Sequence, residues 1–461
     1  MWRADADAAR SDGPATAAAS YAGTDFHEWW EERHRVVRSS VETVPFEELE
    51  GWKFEEGTEN LVHESGAFFT VQGMRIRTED RGSWSQPVIN QPEIGILGML
   101  VKEFDGVPHY LVQAKVEPGN LNGLQLSPTV QATRSNFTRV HGGAGTRYLE
   151  YFRGGRRGEA LVDVLQSEQG SWFWHKRNRN MVVRVTDEVP LHEDFRWVSS
   201  HQLHGLLTEP HLVNMDTRTV LACSAYTGPP RGDHGDDPYA DALARSYDAT
   251  AGARLHTRGE ILSWFTDMRT RCGWRTELIP LSDVKGWSRS REAIEDDERR
   301  RFRIIGVRVK ADNREVRQWT QPLLAPTTTA LAAFLTKPVD GVLHLLVRAR
   351  PEPGVLDTVE MGPTVQCVPE TDGGAHEPFY EDVARAGAQR VRFDTTLSEE
   401  GGRFYHARTR YLIVEADEDF PVEVPDDHRW MAVHQLTDLL RHKHYVNIEA
   451  RSLLACLHSL R

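Results

Sequence analysis

The stretch WSQPVINQPEIGILGMLVKEFDGVPHYLVQAKVEPGNLNGLQLSPTVQ occupies residues 84–131, and a close copy of it occupies residues 319–366. The two segments align without a gap, and roughly 20 of the 48 positions are identical. Shorter segments recur at nearly the same distance, among them SEQG at 167–170 and SEEG at 398–401. A repeat this long exceeds the roughly 20–50 residues of a solenoid unit. It therefore predicts a duplicated domain.

The length of 461 residues is too great for one hydrophobic core and predicts two domains of about 200 residues each. Residues 227–256 carry clustered glycine, proline and aspartate, which is typical of a linker. We therefore place the repeats at 24–226 and 257–461, after a disordered tail at 1–23 that is rich in alanine, aspartate and serine.

The composition is that of a protein of the cytoplasm. The net charge of −13 argues against nucleic-acid binding, which requires a basic face. Mean hydropathy is −0.52, and no apolar run reaches the roughly 18–20 residues of a membrane helix. The four cysteines show no CxxC pairing, so we expect reduced thiols.

Strand and helix signals are mixed within each half. Strands predicted at 94–102 and 107–116 flank Asp105-Gly106, a two-residue hairpin signal that returns as Asp340-Gly341. Helical periodicity is predicted over 26–37, 199–207, 260–271 and 433–440. The pattern predicts an α+β fold in each repeat.

Familiar catalytic motifs are absent from the sequence. It contains no P-loop, no GxGxxG dinucleotide fingerprint, no HExxH and no GxSxG. Histidines and carboxylates do not fall at metal-ligand spacing. We therefore expect a reaction without a metal ion or a cofactor.

The first copy carries a dense set of polar side chains. Those that we select as ligand contacts are Lys115, Glu117, Asn120, Gln125, Gln131 and Arg139. Amide side chains offer a donor and an acceptor to sugar hydroxyls, and cations bind diphosphate. Asn120 and Gln125 become Val355 and Glu360 in the second copy, so the first copy keeps more neutral contacts. The alternative is that these segments only shape a turn and a strand.

A second polar segment runs over 172–180 and returns at 403–411. Alternation along a strand would place a histidine and two cations on one face. We select Arg177 in the first copy and Tyr405, His406 and Arg408 in the second. A structural histidine and a solvated basic surface are the alternatives. His63 is a further candidate because its counterpart is Asp296.

Together these segments resemble the NDP-hexose 2,3-dehydratases of deoxysugar biosynthesis. The runs that carry the resemblance are NQPEIGIL at 90–97, QAKVEPGN at 113–120, LQLSPTVQATRSN at 124–136, RVHGG at 139–143, NMDTRTVLAC at 214–223, SEEGGRFYHAR at 398–408 and YVN at 445–447. The resemblance implies a tandem duplication of a Nudix-like α/β/α domain with a mixed sheet. The glutamate-rich helix with which Nudix hydrolases hold magnesium is missing here. A homodimer is a further expectation from the family.

The resemblance implies a substrate such as dTDP-4-keto-6-deoxy-D-glucose and a carbon–oxygen lyase reaction. The C4 ketone acidifies the C3 hydrogen, so a base can form an enolate that expels the C2 hydroxyl. The resulting enol tautomerises to a 3,4-diketo-2,6-dideoxy sugar without net hydride transfer, so no nicotinamide is needed. Because this product is labile, a 3-ketoreductase is an expected pathway partner.

The reaction requires a base at C3, an acid at the C2 oxygen and donors at the C4 oxygen. We assign the base to His63 or Glu150 and the acid to Tyr151 or His141. Asn120, Gln125 and Gln131 would contact the sugar or the enolate. Diphosphate would meet Lys115, Arg139 and Arg177, and Trp84 would stack on the thymine.

A second pocket is expected from the second copy. Its predicted residues are Trp319, Glu352, Gln366, Tyr405, His406 and Arg408. We expect the first pocket to be the productive one, because its polar residues have diverged from those of the second. A nucleotide-diphosphate hydrolase of the same fold and a non-catalytic nucleotide-sugar binding protein are the alternative functions.

Overall fold

The computed structural model describes residues 25–80, 82–133, 145–154, 158–224, 237–251, 254–371 and 377–460. We call residues 25–224 the first half and residues 254–460 the second half. The described residues form four sheets with helices packed against them, so the fold is α+β as predicted.

Each half contains one large sheet. The strands of the first large sheet are β6 Gly95–Phe104, β7 Val107–Val116, β8 Leu124–Pro128, β9 Val130–Ala132, β10 Glu159–Ser167, β11 Arg177–Arg184 and β12 Phe195–Ser199. The strands of the second large sheet are β18 Ala330–Val339, β19 Val342–Pro351, β20 Val359–Gly362, β21 Val365–Cys367, β22 Val391–Ser398, β23 Arg408–Glu415 and β24 His428–Ala432. Both sheets are mixed, because β11 runs parallel to β6 and β23 runs parallel to β18, while the other pairs are antiparallel.

The central hairpins of the large sheets follow from the repeated sequence. Strands β6 and β7 are joined by Asp105-Gly106, and β18 and β19 by Asp340-Gly341. All four turn residues have φ between 49° and 76°. Asp and Gly tolerate this left-handed conformation, which a two-residue hairpin requires. The predicted strands and turns are therefore confirmed at these positions.

Two smaller sheets lie against the large ones, and they exchange a strand between the halves. The first small sheet contains β2 Trp52–Phe54, β3 Leu61–His63, β4 Thr70–Thr78, β5 Gly82–Asn90 and β13 Arg275–Ile279. The second contains β1 Ser39–Val44, β14 Trp287–Arg289, β15 Ala293–Asp296, β16 Phe302–Ala311 and β17 Gln318–Pro326. Strand β13 of the second half pairs with β4, and β1 of the first half pairs with β16. Each half therefore completes the small sheet of the other.

The α-helices of the described residues are α1 Phe26–Val36, α2 Ser200–Gly205, α3 Met215–Cys223, α4 Pro238–Ser246, α5 Arg258–Arg271, α6 Tyr380–Ala384, α7 Val433–Leu439 and α8 Ile448–His458. Short 3₁₀ turns occupy Phe46–Glu48, Leu149–Tyr151, Leu206–Thr208, Leu281–Asp283 and Ala388–Arg390. No described helix is long and apolar enough to cross a membrane. Helix α4 lies inside the segment predicted as a linker, and it packs on β19.

Helices α3 and α8 form the centre of the molecule. Asn214 caps α3 by accepting from Thr217 N at 2.9 Å, and Asn447 caps α8 by accepting from Ala450 N at 3.0 Å. All nine residues of α3 are buried, and the two helices pack against each other between the large sheets. The helix pair thereby places both amino-terminal ends in the interior.

The EPG segment of each half docks on a loop of the other half. Gly119 N donates to Gly401 O, and Gly354 N donates to Gly170 O, both at 2.7 Å. A Cβ atom at Gly119 would lie 1.7 Å from the Phe404 carbonyl oxygen, which is far inside contact distance. Glycine is needed here because two backbones approach closely.

Candidate active site

A cavity of about 340 Å³ lies between the first large sheet, both small sheets and the loop 398–403 of the second half. Its size falls in the range of roughly 300–1,000 Å³ that is usual for ligand pockets. The charged and amide side chains that line it are Glu50, Gln91, Lys115, Glu117, Gln131, Lys176, Asn178, Asp216, Arg314, Glu315, Gln318, Gln321, Glu400 and Arg403. The cavity is therefore built from both halves.

The ends of β7 and β9 supply a hydrogen-bonded trio on the cavity wall. Lys115 Nζ donates to Gln131 Oε1 at 3.1 Å and lies 3.8 Å from Glu117 Oε1. Gln131 Nε2 donates to the same Glu117 oxygen at 2.8 Å. Glu117 Oε2 is buried and has no hydrogen-bond partner among the described residues. Burial and the neighbouring Arg314 lower the pKa of Lys115.

Asp216 enters the cavity from the first turn of α3. It is 2% exposed, and its Oδ1 atom has no hydrogen-bond partner in the described part of the chain. Burial raises the pKa of Asp216 well above its usual value, and the carboxyls of Glu400, Glu168 and Glu117 raise it further. Both effects favour the protonated form of Asp216 over the carboxylate, so this side chain is suited to donate a proton.

The loop 398–403 brings Glu400 and Arg403 from the second half. Burial raises the pKa of Glu400 to about 7, and Glu117 and Glu168 act in the same direction, against Arg403 and Lys176. The Arg403 guanidinium lies 4.4 Å from the ring centre of Phe69. A carboxyl that titrates near neutral pH is suited to act as a base.

Lys176 and Asn178 reach the cavity from the start of β11. Burial lowers the pKa of Lys176 to about 8, although Glu168 and Glu400 oppose this change. Asn178 Nδ2 donates to Glu168 Oε1 at 2.7 Å, and Asn178 Oδ1 accepts from Gly95 N at 3.1 Å. Burial raises the pKa of Glu168 to about 6. Glu168 does not line the cavity itself but holds Asn178, which does, through this hydrogen bond.

The opposite wall is aromatic. Its members are Trp52, Phe68, Phe69 and Trp319, with His63 among them. His63 meets Trp52 and Phe68 edge to face at ring distances of 5.3 and 4.8 Å. Its Nδ1 lies 2.7 Å from Ser65 Oγ. Such a wall can hold a planar, partly apolar ring.

A loop of the second small sheet carries another cation to this wall. Residues 312–317 join β16 to β17, whereas the counterpart loop between β4 and β5 spans only 79–81. Arg314 Nη1 donates to Val116 O at 2.6 Å, and its guanidinium lies 5.5 Å from the Trp319 ring centre. The longer loop is what allows Arg314 to reach the first large sheet.

The structure brings several of the predicted residues together. His63, Lys115, Glu117 and Gln131 all line the cavity. Trp84 does not; it meets Trp274 edge to face at 5.7 Å on the first small sheet. Its repeat equivalent Trp319, predicted for the second pocket, lines this cavity instead, because the two small sheets present β5 and β17 to different sides.

Other predicted residues lie away from the cavity lining. Asn120 and Gln125 are buried where the halves meet. Arg177 and the exposed Glu150 do not line the cavity. Tyr151 packs in an apolar cluster. The prediction of Arg177 is wrong by one residue. Its neighbours Lys176 and Asn178 line the cavity, and adjacent side chains along a strand point to opposite faces. Arg139 and His141 lie outside the described residues.

The second copy forms a smaller polar cluster, which we call the second cradle. It consists of Arg350, Glu352, Gln366 and Glu449, the counterparts of Lys115, Glu117, Gln131 and Asp216. Gln366 Nε2 donates to Glu352 Oε1 at 3.2 Å. Tyr405 and His406 instead stack on each other at 3.9 Å, with His406 and Arg408 exposed.

Several residues that face this cavity were not predicted from the sequence. They are Asp216, Lys176, Arg403, Arg314 and Glu400. Differences between the repeats carried a signal, since Glu400 replaces Gln169, Arg403 replaces Trp172, and Lys176 becomes Ala407 in the second copy. These positions lie in both halves, and the site draws on both.

The cavity is lined by cations, buried carboxyl groups and aromatic rings. These groups define an acid–base site for a charged ligand with a flat ring. The sequence profile described as NDP-hexose 2,3-dehydratase matches residues 23–224 and again 258–457. The chain therefore belongs to the NDP-hexose 2,3-dehydratase family, whose members are hydro-lyases that act on nucleotide-linked hexoses.

Relatives agree with this assignment. The chain is 49% identical to a dTDP-4-dehydro-6-deoxy-alpha-D-glucopyranose 2,3-dehydratase of Saccharopolyspora spinosa, over 95% of this chain and 91% of the relative. Enzymes with the same name from Streptomyces violaceoruber and Amycolatopsis orientalis are 49% and 46% identical, over 94% of this chain and 97% and 90% of the relatives. A crystal structure of an ADP compounds hydrolase matches 33% of this chain and 77% of its own, at 18% identity and a TM-score of 0.20, which is too low to carry an argument.

Proposed function

We propose that this enzyme removes water across C2 and C3 of dTDP-4-keto-6-deoxy-D-glucose in the composite cavity. The observation that carries the proposal is that one cavity holds a buried Asp216 whose pKa is raised, a Glu400 whose pKa is raised to about 7, and several cations. The elimination needs an acid, a base and stabilised negative charge at the same place. The printed names of the relatives supply the substrate.

Glu400 is our candidate for the base that takes the C3 proton. Its pKa of about 7 lets a large fraction of it be ionised at neutral pH while it still holds a proton well enough to act as a base. Among the bases predicted from sequence, His63 lines the cavity within the aromatic wall and remains the alternative.

Asp216 is our candidate for the acid at the C2 oxygen. It is buried, its pKa is raised, and it has an oxygen without a partner in the described part of the chain. As the C2–O bond breaks, its proton passes to the leaving hydroxyl and water departs. The C4 oxygen carries negative charge in the enolate that forms when C3 loses its proton, and Lys176 can donate a hydrogen bond there.

The rest of the cavity suits the nucleotide. Lys115, Arg314 and Arg403 supply positive charge for the diphosphate. The face of Trp319, with Phe68 and Trp52 beside it, offers a surface for the thymine. Both sets occupy the same cavity, so the sugar would lie between them and the acidic cluster.

We also propose a domain organisation and two partners for this enzyme. Two Nudix-like repeats at 24–226 and 257–461, joined by a linker, fit the matching strand order of the two large sheets and the two matches of one family profile. The exchanged strands β1 and β13 make each repeat dependent on the other. A homodimer and a 3-ketoreductase that consumes the labile diketo product complete the proposal.

The test measures turnover of the 4-keto sugar in deuterated water. We expect the native enzyme to release water and to incorporate deuterium at C2. Glu400→Gln and Asp216→Asn should each lower kcat by about 10²–10⁴-fold, the usual contribution of a positioned acid or base. The matched control is Glu449→Gln, which changes the counterpart of Asp216 in the second cradle and should keep kcat within about two-fold. Native turnover in both cavity variants would overturn the assignment.

A further inference from the structure

The loop that carries Glu400 belongs to the second half but is held by the first. Ser398 Oγ lies 2.9 Å from Gln125 Nε2 and 2.9 Å from His211 Nδ1. The Ser398 carbonyl accepts from Arg218 Nη2 at 2.8 Å. Two residues before Glu400, the loop is thus fixed by three side chains of the opposite half.

Among these three side chains, Gln125 contacts the Ser398 hydroxyl through its amide nitrogen. Its side chain is fully buried on β8 and does not line the cavity. The same amide nitrogen lies 3.2 Å from Asn122 Oδ1, so it links the loop to the residues that follow the EPG segment. Its amide oxygen, Oε1, is buried and has no hydrogen-bond partner among the described residues, so the two contacts of Nε2 are what hold the amide.

The mirror contact has the opposite chemistry. In the second half, Glu360 Oε2 accepts from the Ser167 hydroxyl at 2.5 Å. A carboxylate at position 125 would add a further acid to the first half, in which Glu117 and Glu400 already raise the pKa of Asp216, and Glu117 raises that of Glu400. A neutral amide makes the same bridge without adding charge.

We infer that Gln125 is a positioning residue that sets the place of Glu400 through Ser398. The inference rests on the proposed role of Glu400 as the base. A displacement of about 1 Å in a reacting group can cost on the order of 10²-fold in rate. The nucleotide contacts need not move with it: Arg403, at the far end of the loop, is held separately by Gln91 at 3.1 Å and by Phe69.

The experiment uses Gln125→Met, which keeps the approximate volume of the side chain and removes its amide. We expect kcat to fall about 10–100-fold while KM changes by less than about three-fold. Ser398→Ala removes the same contact from the other side and should reproduce this split. Tyr110→Phe is the matched control, because it loses a buried hydrogen bond to Ser224 in the same large sheet and should retain full activity.

A double-mutant cycle separates positioning from a general loss of structure. In the Glu400→Gln background, Gln125→Met should cause no further loss, because there is no longer a base to misplace. Additive losses, or a kcat within about two-fold of native in both Gln125→Met and Ser398→Ala, would refute the inference. If Glu400→Gln itself turns over normally, the proposed base is wrong; if only Glu400→Gln is impaired, the base stands and Gln125 has no positioning role.

Discussion

The composite cavity and the second cradle are built from equivalent positions, yet they differ in how many hydrogen bonds they leave unused. In the second cradle, Glu352 accepts from Gln366 and Asn447 on one oxygen and from Gly170 N on the other. In the cavity, Glu117 has one oxygen without a partner among the described residues. The same residue type is occupied internally in one half and available to a ligand in the other.

A single small difference redirects one of these contacts. Asn447 Nδ2 donates to Glu352 at 2.9 Å, whereas its counterpart Asn214 donates to Ser127 Oγ at 3.0 Å. Position 127 is glycine in the second half, Gly362, and so offers no hydroxyl. The serine therefore draws the capping asparagine away from Glu117 and leaves one oxygen of that carboxylate without a partner among the described residues.

The charges differ in the same sense. Arg350 donates to Glu377 at 2.6 Å, and Arg348 donates to the same carboxylate. The position equivalent to Glu377 in the first half is Thr146, so Lys115 has no acid there. The comparison teaches that a site is marked by unused charge and hydrogen-bonding capacity, and that residue identity alone does not reveal it.

The largest expected effect comes from removing one cation from the cavity and, for comparison, one from the second cradle. Arg403→Gln should raise KM about 10–100-fold, since a charge-assisted hydrogen bond contributes about 1.5–3 kcal/mol. Arg350→Gln in the second cradle should leave KM within about two-fold, although it leaves a buried acid with one partner fewer. Steady-state kinetics with the 4-keto sugar measure both. Equal increases of KM would mean that the second cradle also binds substrate.

A smaller change tests the redirected asparagine. Ser127→Gly gives the cavity the glycine of the second cradle, so Asn214 can turn to Glu117 and occupy its open oxygen. One competing hydrogen bond of about 1 kcal/mol predicts a fall in kcat/KM of roughly five-fold. Gly362→Ala, on the other side, should change kcat/KM by less than about two-fold. An unchanged kcat/KM in Ser127→Gly would show that the open oxygen of Glu117 has no part in turnover.

The smallest expected effect concerns stability. The folded state raises the pKa of Glu400 from 4.5 to about 7, so it holds this proton more tightly than the unfolded chain. Stability therefore falls as pH rises between these values, and the loss is complete above about pH 7. Glu400→Gln gives the loop the neutral residue of its counterpart Gln169 and should escape this loss. Its thermal midpoint should exceed the native one by a few degrees at pH 8 and match it near pH 4.5. A constant difference across pH would contradict the assignment of this titration to Glu400.

Much of the fold could be predicted from local sequence. The Asp-Gly turns, the strands at their sides and the helices at 26–37, 260–271 and 433–440 are all confirmed within a few residues. These features depend on neighbours in the chain, namely side-chain alternation and turn residues that tolerate positive φ. They required no knowledge of how the halves meet.

The candidate site could be predicted only in part. Lys115, Glu117 and Gln131 lie near each other in sequence, and they share one wall of the cavity. The alternation of β11 was foreseen, but the choice of face was not, so Arg177 was selected where Lys176 lines the cavity. Glu400 and Trp319 lie more than 180 residues from Gln131 and come from the other repeat. No spacing rule links positions that meet only across an interface.

By itself the sequence showed a long internal repeat, predicted that each half mixes strands and helices, and indicated the chemistry of a deoxysugar dehydratase. Only the tertiary structure decided that the copies exchange strands and that the cavity is completed by Glu400, Arg403, Arg314 and Trp319 of the second half. The physical reason is that local patterns set the backbone, whereas burial sets protonation. The acids become a working pair only when packing brings them together and removes their water.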